Sequence, residues 1–179
     1  MDKVERTLEG SPYDSDEPLR IRFATSEDLK ALEWDGEYAH YRRLFQRAIE
    51  EAHNGRRILL LAEIDEQLVG QIFMQLTTRS NFSTEGVSSG YLYAFRVKSL
   101  FRNRGVGSQL LHEAEQNLVS RGLLRAVISV GKRNGAARRL YESAGYAVFT
   151  EDSGDWSYFD HLGRLREVSE PAFVLEKWL

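Results

Sequence analysis

Apolar and polar positions alternate with different periods along the chain, and each change of period marks a predicted element. Residues 19–24 alternate apolar with basic side chains, which predicts a first strand. Thr25 or Ser26, followed by acidic residues, is typical of the start of a helix. An apolar stripe with helical spacing over 38–52 predicts a second, longer helix. The first third of the chain is therefore predicted to form a strand and two helices.

The rest of the chain is predicted to form a β-hairpin and then strands that alternate with helices. Strands are predicted at 58–64, 68–76, 90–97, 125–130, 146–150 and 172–178. Helices are predicted at 107–120 and 135–144. Two polar stretches, 77–89 and 151–170, show neither the spacing of apolar residues typical of a helix nor the alternation typical of a strand. They are predicted to be loops. A hairpin followed by a strand–helix–strand unit predicts a mixed α+β fold. Its first strands are expected to pair antiparallel, and the two strands joined by the crossover helix are expected to be parallel.

Length and composition narrow the class of protein. The 179 residues are enough for one domain with its own core, and we expect a single domain at 19–179 after a flexible extension at 1–18. The net charge of −3 argues against nucleic-acid binding through bulk charge. The chain has no cysteine, which excludes disulfides, cysteine nucleophiles and cysteine zinc sites.

Two further expectations concern metal and membrane. The histidines His40, His53, His112 and His161 do not have the spacing of metal ligands, so no metal site is predicted. No apolar run has the length of a membrane span, and residues 1–18 lack the apolar segment of a secretory signal. We therefore expect a cytoplasmic protein that does not bind membranes.

A basic turn with two glycines joins the fourth predicted strand to the following helix. Gly105 and Gly107 allow a ligand to approach the backbone closely, and the helix start offers unpaired N–H groups with partial positive charge. Arg102 and Arg104 add bidentate cationic donors. These features predict a phosphate site, the alternative being a capped turn without a ligand. Leu110 stands where the dinucleotide fingerprint has its third glycine, and the Gly-Lys-Ser/Thr of a P-loop is absent.

A second pattern follows the strand predicted at 125–130. Asn134 is suited to cap a helix, Leu140 favours its interior, and Gly145 is suited to end it. Tyr141 lies about two helical turns after Asn134, so the two side chains are expected on one face of the helix.

The two patterns together resemble the signatures of the GCN5-related N-acetyltransferases, which bind acetyl-CoA. Arg-x-x-Gly-x-Gly at 102–107 resembles the pyrophosphate-binding motif, and the Asn, Leu-Tyr and Gly-aromatic sequence at 134–146 resembles the second signature. The resemblance extends over 19–179. It implies an α+β fold with a central, mixed, mostly antiparallel seven-stranded sheet, splayed between strands 4 and 5 and flanked by four helices. Acetyl-CoA would enter the cleft that the splay opens.

The resemblance also implies roles for individual residues. Those expected to bind the cofactor are Phe95, Val97, Arg102, Asn103, Arg104, Gly105, Val106, Gly107, Ser108, Asn134 and Tyr141. The backbone of Phe95 and Val97 would pair with the pantetheine arm, and the Val97 N–H would stabilise the developing oxyanion. Tyr141 would be the catalytic acid near the CoA sulfur, unless it only packs beneath the sheet.

The general base and the acceptor are not assigned by the resemblance. Many relatives carry a carboxylate on the fourth strand, whereas residues 91–97 contain none; Glu85, or water held by Tyr91 or Tyr93, are alternatives. Two stretches, 34–41 and 152–161, are candidates for the wall of the acceptor site, since acids beside aromatic rings suit a cationic amine.

The leading hypothesis is an acetyl-CoA-dependent N-acetyltransferase that transfers the acetyl group directly to a primary amine of a small molecule or a peptide. The alternatives are a non-catalytic acyl-CoA-binding sensor or scaffold with the same fold, and an unrelated nucleotide-binding domain. A homodimer is possible, because the last predicted strand, with Phe173 and Trp178, offers an edge.

Overall fold

The computed structural model of the chain describes residues 18–77 and 88–179. The predicted extension, apart from its last residue, and Glu85 in the predicted loop lie outside these ranges. Within them no helix is long and apolar enough to cross a membrane.

The described residues form nine strands, three α-helices and four short 3₁₀ segments. The strands are Arg20–Phe23 (β1), Arg57–Ile64 (β2), Gln67–Thr77 (β3), Ser89–Val97 (β4), Arg125–Gly131 (β5), Ala147–Asp152 (β6), Asp155–Phe159 (β7), Leu165–Ser169 (β8) and Ala172–Trp178 (β9). The α-helices are Arg42–His53 (α1), Val106–Val119 (α2) and Gly135–Ser143 (α3). The 3₁₀ segments are Ser26–Leu29, Ala31–Glu33, Ala39–Tyr41 and Ser99–Phe101.

Seven of the strands form one sheet in the order β1-β2-β3-β4-β5-β9-β6. All neighbours are antiparallel except β4 and β5, which are parallel and joined through α2. This confirms the predicted mixed, mostly antiparallel sheet with one crossover. The four predicted helices also occur, although the first is a 3₁₀ segment in which Thr25 and Asp28 form a reciprocal capping box.

The sheet opens between β4 and β5. The two strands pair only at Ser89–Leu92 against Arg125–Ile128, so residues 93–97 have no strand partner on that side. The predicted splay between strands 4 and 5 is therefore confirmed, and it exposes the backbone of the second half of β4.

Apolar side chains fill a layer on each face of the sheet. On one face, Leu110, Leu118 and Tyr141 from α2 and α3 pack with Leu92 of β4. On the other face, Phe45 of α1 packs with Leu32, Trp34 and Phe73. Burying both faces fits the continuous apolar run of β2, which does not alternate with polar residues.

The region predicted as a loop at 151–170 is instead a second β-hairpin. The strand β6 continues to Asp152, and β7 pairs with β8 in a separate two-stranded sheet. The prediction was wrong because most side chains of this hairpin remain exposed, so no period of two marks its strands. Gly163 between the two strands was the available sign of a hairpin turn.

The last strand does not lie at an edge. Its register pairs β9 with β5 on one side and with β6 on the other. The edge expected at Phe173 and Trp178 is thus a prediction that the structure contradicts, because the chain crosses over and inserts β9 between its neighbours. The homodimer stays a prediction without that support.

Candidate active site

A cleft of about 540 Å³ lies where the sheet opens. Most residues predicted to bind the cofactor line it: Phe95, Val97, Arg102, Asn103, Gly105, Gly107, Ser108, Asn134 and Tyr141. Two do not. The side chain of Val106 is buried in the core, and the exposed Arg104 lies over the ring of Phe101, 5.8 Å from its centroid. The two sequence patterns, separate along the chain, thus meet at one cavity.

A β-bulge in β4 divides the strand between the two faces of the sheet. Phe73 of β3 pairs with Tyr93 and Gln71 pairs with Arg96, so Ala94 and Phe95 together oppose a single residue. Ala94 has a left-handed backbone with φ of 49°. As a result Tyr93 packs on the face of α1, whereas Phe95 and Val97 pack on the face of α2 and α3. Simple alternation would have placed all three on one face.

Buried polar side chains hold the bulge in place. The Trp34 Nε1–H donates to Oε1 of Gln71 at 3.1 Å, and the Nε2 of Gln71 donates to the carbonyl of Ala94 at 3.3 Å. Gln71 is fully buried. Because an unpaired buried amide would be costly, these bonds favour the strained conformation at Ala94.

The backbone beyond the bulge is available on the open side of the sheet. The N–H of Lys98 donates to the carbonyl of Val69 in β3 at 2.8 Å. Since successive N–H groups of a strand point to opposite sides, the N–H of Val97 points toward the cleft. The Nε–H of Arg102 donates to the Val97 carbonyl at 2.9 Å, which ties the basic turn to the strand.

The glycine turn is shaped as an anion site at the start of α2. Gly105 is the N-cap residue and has φ of 81°, a conformation that favours glycine. Gly107 allows close packing, because an added Cβ would lie 3.3 Å from Leu140 and 3.6 Å from Phe95. The exposed Ser108 completes the first turn. The unpaired N–H groups of a helix of this length suit a phosphate group.

Asn134 and Tyr141 both line the cleft, and each also has a structural role in or beside α3. The Oδ1 of Asn134 accepts from the N–H of Ala137 at 3.1 Å, so the predicted N-cap is present. Tyr141 is buried, and its ring stacks on Phe95 with centroids 5.9 Å apart. Burial, together with the nearby Tyr91, raises the pKa of the Tyr141 hydroxyl, which therefore keeps its proton at neutral pH.

No acidic residue lines the cleft within the described ranges. The two tyrosines considered as water holders do not line it either. The Tyr93 hydroxyl accepts a hydrogen bond from Nη1 of Arg57, and the Tyr91 hydroxyl donates to Ser129 at 3.1 Å. Burial raises the pKa of both phenols, so both stay protonated at neutral pH.

The two predicted parts of the acceptor wall contact each other. The ring centroid of Tyr41 lies 6.3 Å from that of Trp156 and 5.0 Å from that of Tyr158, and His40 lies 6.3 Å from Tyr158. The missed hairpin β7–β8 therefore builds one side of an aromatic cluster. Trp34 and Tyr38 from the other side line the cleft itself.

Two acids of this wall form hydrogen bonds within the protein. Asp160 accepts hydrogen bonds from the N–H groups of Leu162 and Arg164, both at 2.9 Å, and from Arg166 at 2.8 Å. Asp152 accepts from the N–H of Gly154 at 3.1 Å. The prediction that free carboxylates attract a cationic amine is therefore not supported for these two residues.

One charged residue of the cleft lining was not predicted from the sequence. Arg96 lines the cavity beside Tyr38, on the face of α1. An isolated arginine at the end of an apolar strand carries no motif, and its position depends on the bulge at Ala94. In the ranges 18–77 and 88–179, no group of His, Asp and Glu side chains is arranged to hold a metal ion.

Comparison with known proteins agrees with this geometry. The model of the acetyltransferase (GNAT) family matches residues 26–146. N-alpha-acetyltransferase 30 from Xenopus laevis is 28% identical over 94 residues, which are 52% of this chain. The match covers only 33% of that relative.

Solved structures show the same fold at low sequence identity. The PaiA N-acetyltransferase from Thermoplasma acidophilum, in complex with coenzyme A, superposes with a TM-score of 0.67 at 19% identity, over 90% of this chain and 99% of that chain. NAA60 from Arabidopsis thaliana, in complex with a bisubstrate analogue, gives a TM-score of 0.69 at 17% identity, over 90% and 98% of the two chains. With the family model spanning more than half of its length, the chain belongs to the acetyltransferase (GNAT) family.

Proposed function

We propose that this protein is an acetyl-CoA-dependent N-acetyltransferase that transfers the acetyl group directly to a primary amine. The observation that carries the proposal is the cleft of about 540 Å³, in which the N-terminus of α2, the unpaired half of β4 and Tyr141 meet. Family membership and the neighbour solved with coenzyme A support the choice of co-substrate.

Binding would use both ends of the glycine turn and the open strand. The N–H groups at 105–108 would hold the pyrophosphate, with Arg102 adding positive charge. The backbone of Phe95 and Val97 would pair with the pantetheine amides as an added strand would. Asn134 would contact the arm from the opposite wall while it continues to cap α3.

The chain's own groups would then assist the transfer. Acetyl-CoA supplies the acetyl group as a thioester. The Val97 N–H would donate to the carbonyl oxygen as negative charge develops on it, while the amine nitrogen forms its bond to the carbonyl carbon. As the carbon–sulfur bond breaks, the Tyr141 hydroxyl would give its proton to the sulfur.

The proton on the attacking amine would leave to solvent. No acidic residue lines the described cleft, so the amine must reach the site neutral or lose its proton to water. The same feature favours the second candidate, a non-catalytic acyl-CoA-binding sensor with this fold. The acceptor would be a small molecule or a peptide amine; similarity to N-alpha-acetyltransferase 30 supports a peptide N-terminus among the candidates.

Ser108 offers a direct test of the anion site. It lies in the first turn of α2 and is exposed, so Ser108→Glu favours the helix but places a negative charge where the pyrophosphate would bind. Ser108→Gln is the control of equal size without charge. We expect Ser108→Glu to raise the Kd for acetyl-CoA at least about tenfold and Ser108→Gln to change it little, since close like charges cost about 1–4 kcal/mol.

Calorimetric titration of both variants and the wild type with acetyl-CoA, CoA, ATP and NAD measures this effect. Selective binding of the two CoA ligands, weakened only by Ser108→Glu, supports the proposal. Equal affinity of both variants, or a preference for ATP or NAD, contradicts the cofactor site. Acetylation of an amine panel then separates the enzyme from the sensor.

A further inference from the structure

Arg96 lies at the end of the cleft that faces the aromatic cluster. The bulge at Ala94 turns its side chain toward α1, away from the glycine turn. Its guanidinium carbon lies 4.2 Å from the ring centroid of Tyr38 and 5.5 Å from that of Tyr41. A ring that covers one face of a guanidinium leaves N–H groups at its edge available for hydrogen bonding.

The guanidinium forms a hydrogen bond with the Tyr38 side chain, but it lacks the carboxylate partner that comparable arginines have. Its Nη1 is buried and makes no hydrogen bond in the described part of the chain. Four other arginines of the described ranges are buried or partly buried, and each contacts a carboxylate. The pairs are Arg22 with Asp28, Arg57 with Glu51, Arg125 with Glu176 and Arg138 with Glu142. An unpaired buried cationic donor is costly, so an acceptor for it is expected from elsewhere.

The neighbouring acids do not supply that acceptor. Glu33 binds Arg42 through both oxygens, at 2.5 and 2.8 Å, and Asp160 binds Arg166. The exposed Glu37 is near enough to influence the charge of Arg96, but it makes no ion pair within the described ranges. Burial lowers the pKa of the Arg96 guanidinium, which fits a cation that has lost water and gained no counter-ion.

We propose that Arg96 binds a carboxylate of the acceptor, so that the preferred substrates are amines that also carry a carboxylate. This inference rests on the proposed acetyl transfer and names its acceptor class. A carboxylate matches the planar fork of a guanidinium and accepts two parallel hydrogen bonds, which orients the substrate as well as binding it. The carboxylate could belong to a free amino acid or to an acidic residue near the N-terminus of a peptide.

Matched acceptor pairs test the assignment. One arm compares free amino acids with their α-amides, and the other compares peptides with Glu and with Gln at the second position. In the wild type we expect kcat/KM to be about 10- to 100-fold higher for the acid in at least one arm, the range of a charged hydrogen bond. The arm that shows the preference identifies the source of the carboxylate.

Variants show whether Arg96 causes the preference. Arg96→Met should abolish it, mainly through KM for the acid, and Arg96→Lys should retain part of it. Arg56→Met, which removes an exposed arginine that does not line the cleft, should leave the acid preference intact. Acetyl-CoA affinity and thermal unfolding of each variant separate a loss of acceptor binding from a loss of folding.

Two results would overturn the assignment of Arg96 alone: turnover without an acid preference in the wild type, or an acid preference that survives in Arg96→Met. A protein that binds acetyl-CoA but acetylates no member of any pair contradicts the proposed function itself, and the acceptor assignment with it.

Discussion

The hydroxyl of Tyr141 illustrates how position decides chemistry at the residue scale. The ring is packed in the core beside Phe95 and Tyr146, yet the residue lines the cleft. Burial raises its pKa, so the phenol remains protonated at neutral pH. That proton is the one that the proposed transfer would give to the leaving thiolate.

We predict that Tyr141→Phe lowers kcat by about 10²- to 10⁴-fold, the usual contribution of a general acid. Acetyl-CoA affinity should change little, because the ring and its stacking on Phe95 are retained. Tyr146→Phe is the matched control, since it removes a hydroxyl from a neighbouring buried tyrosine outside the cleft lining. Steady-state kinetics and calorimetry of both variants measure this; equal losses in the two would remove Tyr141 from the mechanism.

At the scale of elements, the hairpin β7–β8 depends on one buried carboxylate. Asp160 follows β7 and binds two backbone N–H groups of the turn and the guanidinium of Arg166 in β8. The hairpin in turn carries Trp156 and Tyr158 against Tyr41. A single side chain thereby positions half of the aromatic cluster.

Acid should loosen this hairpin. The backbone N–H of Arg164, with help from Arg166 and Leu162, lowers the pKa of Asp160 to about 2. Because the folded-state pKa lies below the unfolded value, the stabilising contribution is present above about pH 4 and is lost as the pH falls through about 2. Asp160→Asn should unfold at a lower temperature than the wild type at pH 7, and its Tm should fall less between pH 4 and pH 2.

Thermal unfolding followed by tryptophan fluorescence measures that difference, with Glu167→Gln as the control for an exposed acid of the same hairpin. Identical acid dependence in the wild type and Asp160→Asn would contradict the role of Asp160. The acceptor KM of Asp160→Asn should also rise, because Trp156 and Tyr158 lose their support.

Helices and strands were predicted correctly where the capping residues and the spacing of apolar side chains indicate the same element. Gly105 before α2 and Asn134 before α3 combine a cap with an apolar stripe, and both helices begin within a residue of their predicted start. The bulge at Ala94 could not be predicted, because it is held by Gln71 and Trp34 from distant parts of the chain. Arg96 was missed for the same reason, and the hairpin was missed because its exposed strands lack alternation.

At the scale of the whole molecule, the sheet consists of two halves joined weakly at its centre. Strands β1 to β4 form one half and β5, β9 and β6 the other, and only four residue pairs of β4 and β5 connect them in the sheet. A ligand that pairs with β4 on one side and contacts α3 on the other would join the halves. Cofactor binding should therefore stabilise the fold as a whole.

We predict that acetyl-CoA at 100 times its Kd stabilises the protein by about 2.7 kcal/mol. For a domain of this size that corresponds to a rise in Tm of about 5–10 °C. Amide hydrogen exchange should slow at 93–97, where β4 lacks a partner on the side of β5. Calorimetric scanning with and without ligand measures the shift, and Ser108→Glu at the same ligand concentration should show a smaller one; protection confined to the glycine turn would contradict a strand-like pairing.

The bulge at Ala94 has a consequence for how this protein can diverge. Beyond it, alternate positions of one strand lie on opposite faces of the sheet: Phe95 and Val97 face α2 and α3, whereas Arg96 faces Tyr38 and Tyr41. Under the proposed assignment, a substitution at 96 would change acceptor choice and leave Phe95 and Val97 in place. Deleting Ala94 would remove the bulge without exchanging the faces, because Tyr93, Arg96 and Val97 would keep their partners in β3 and Phe95 alone would fill the gap between them.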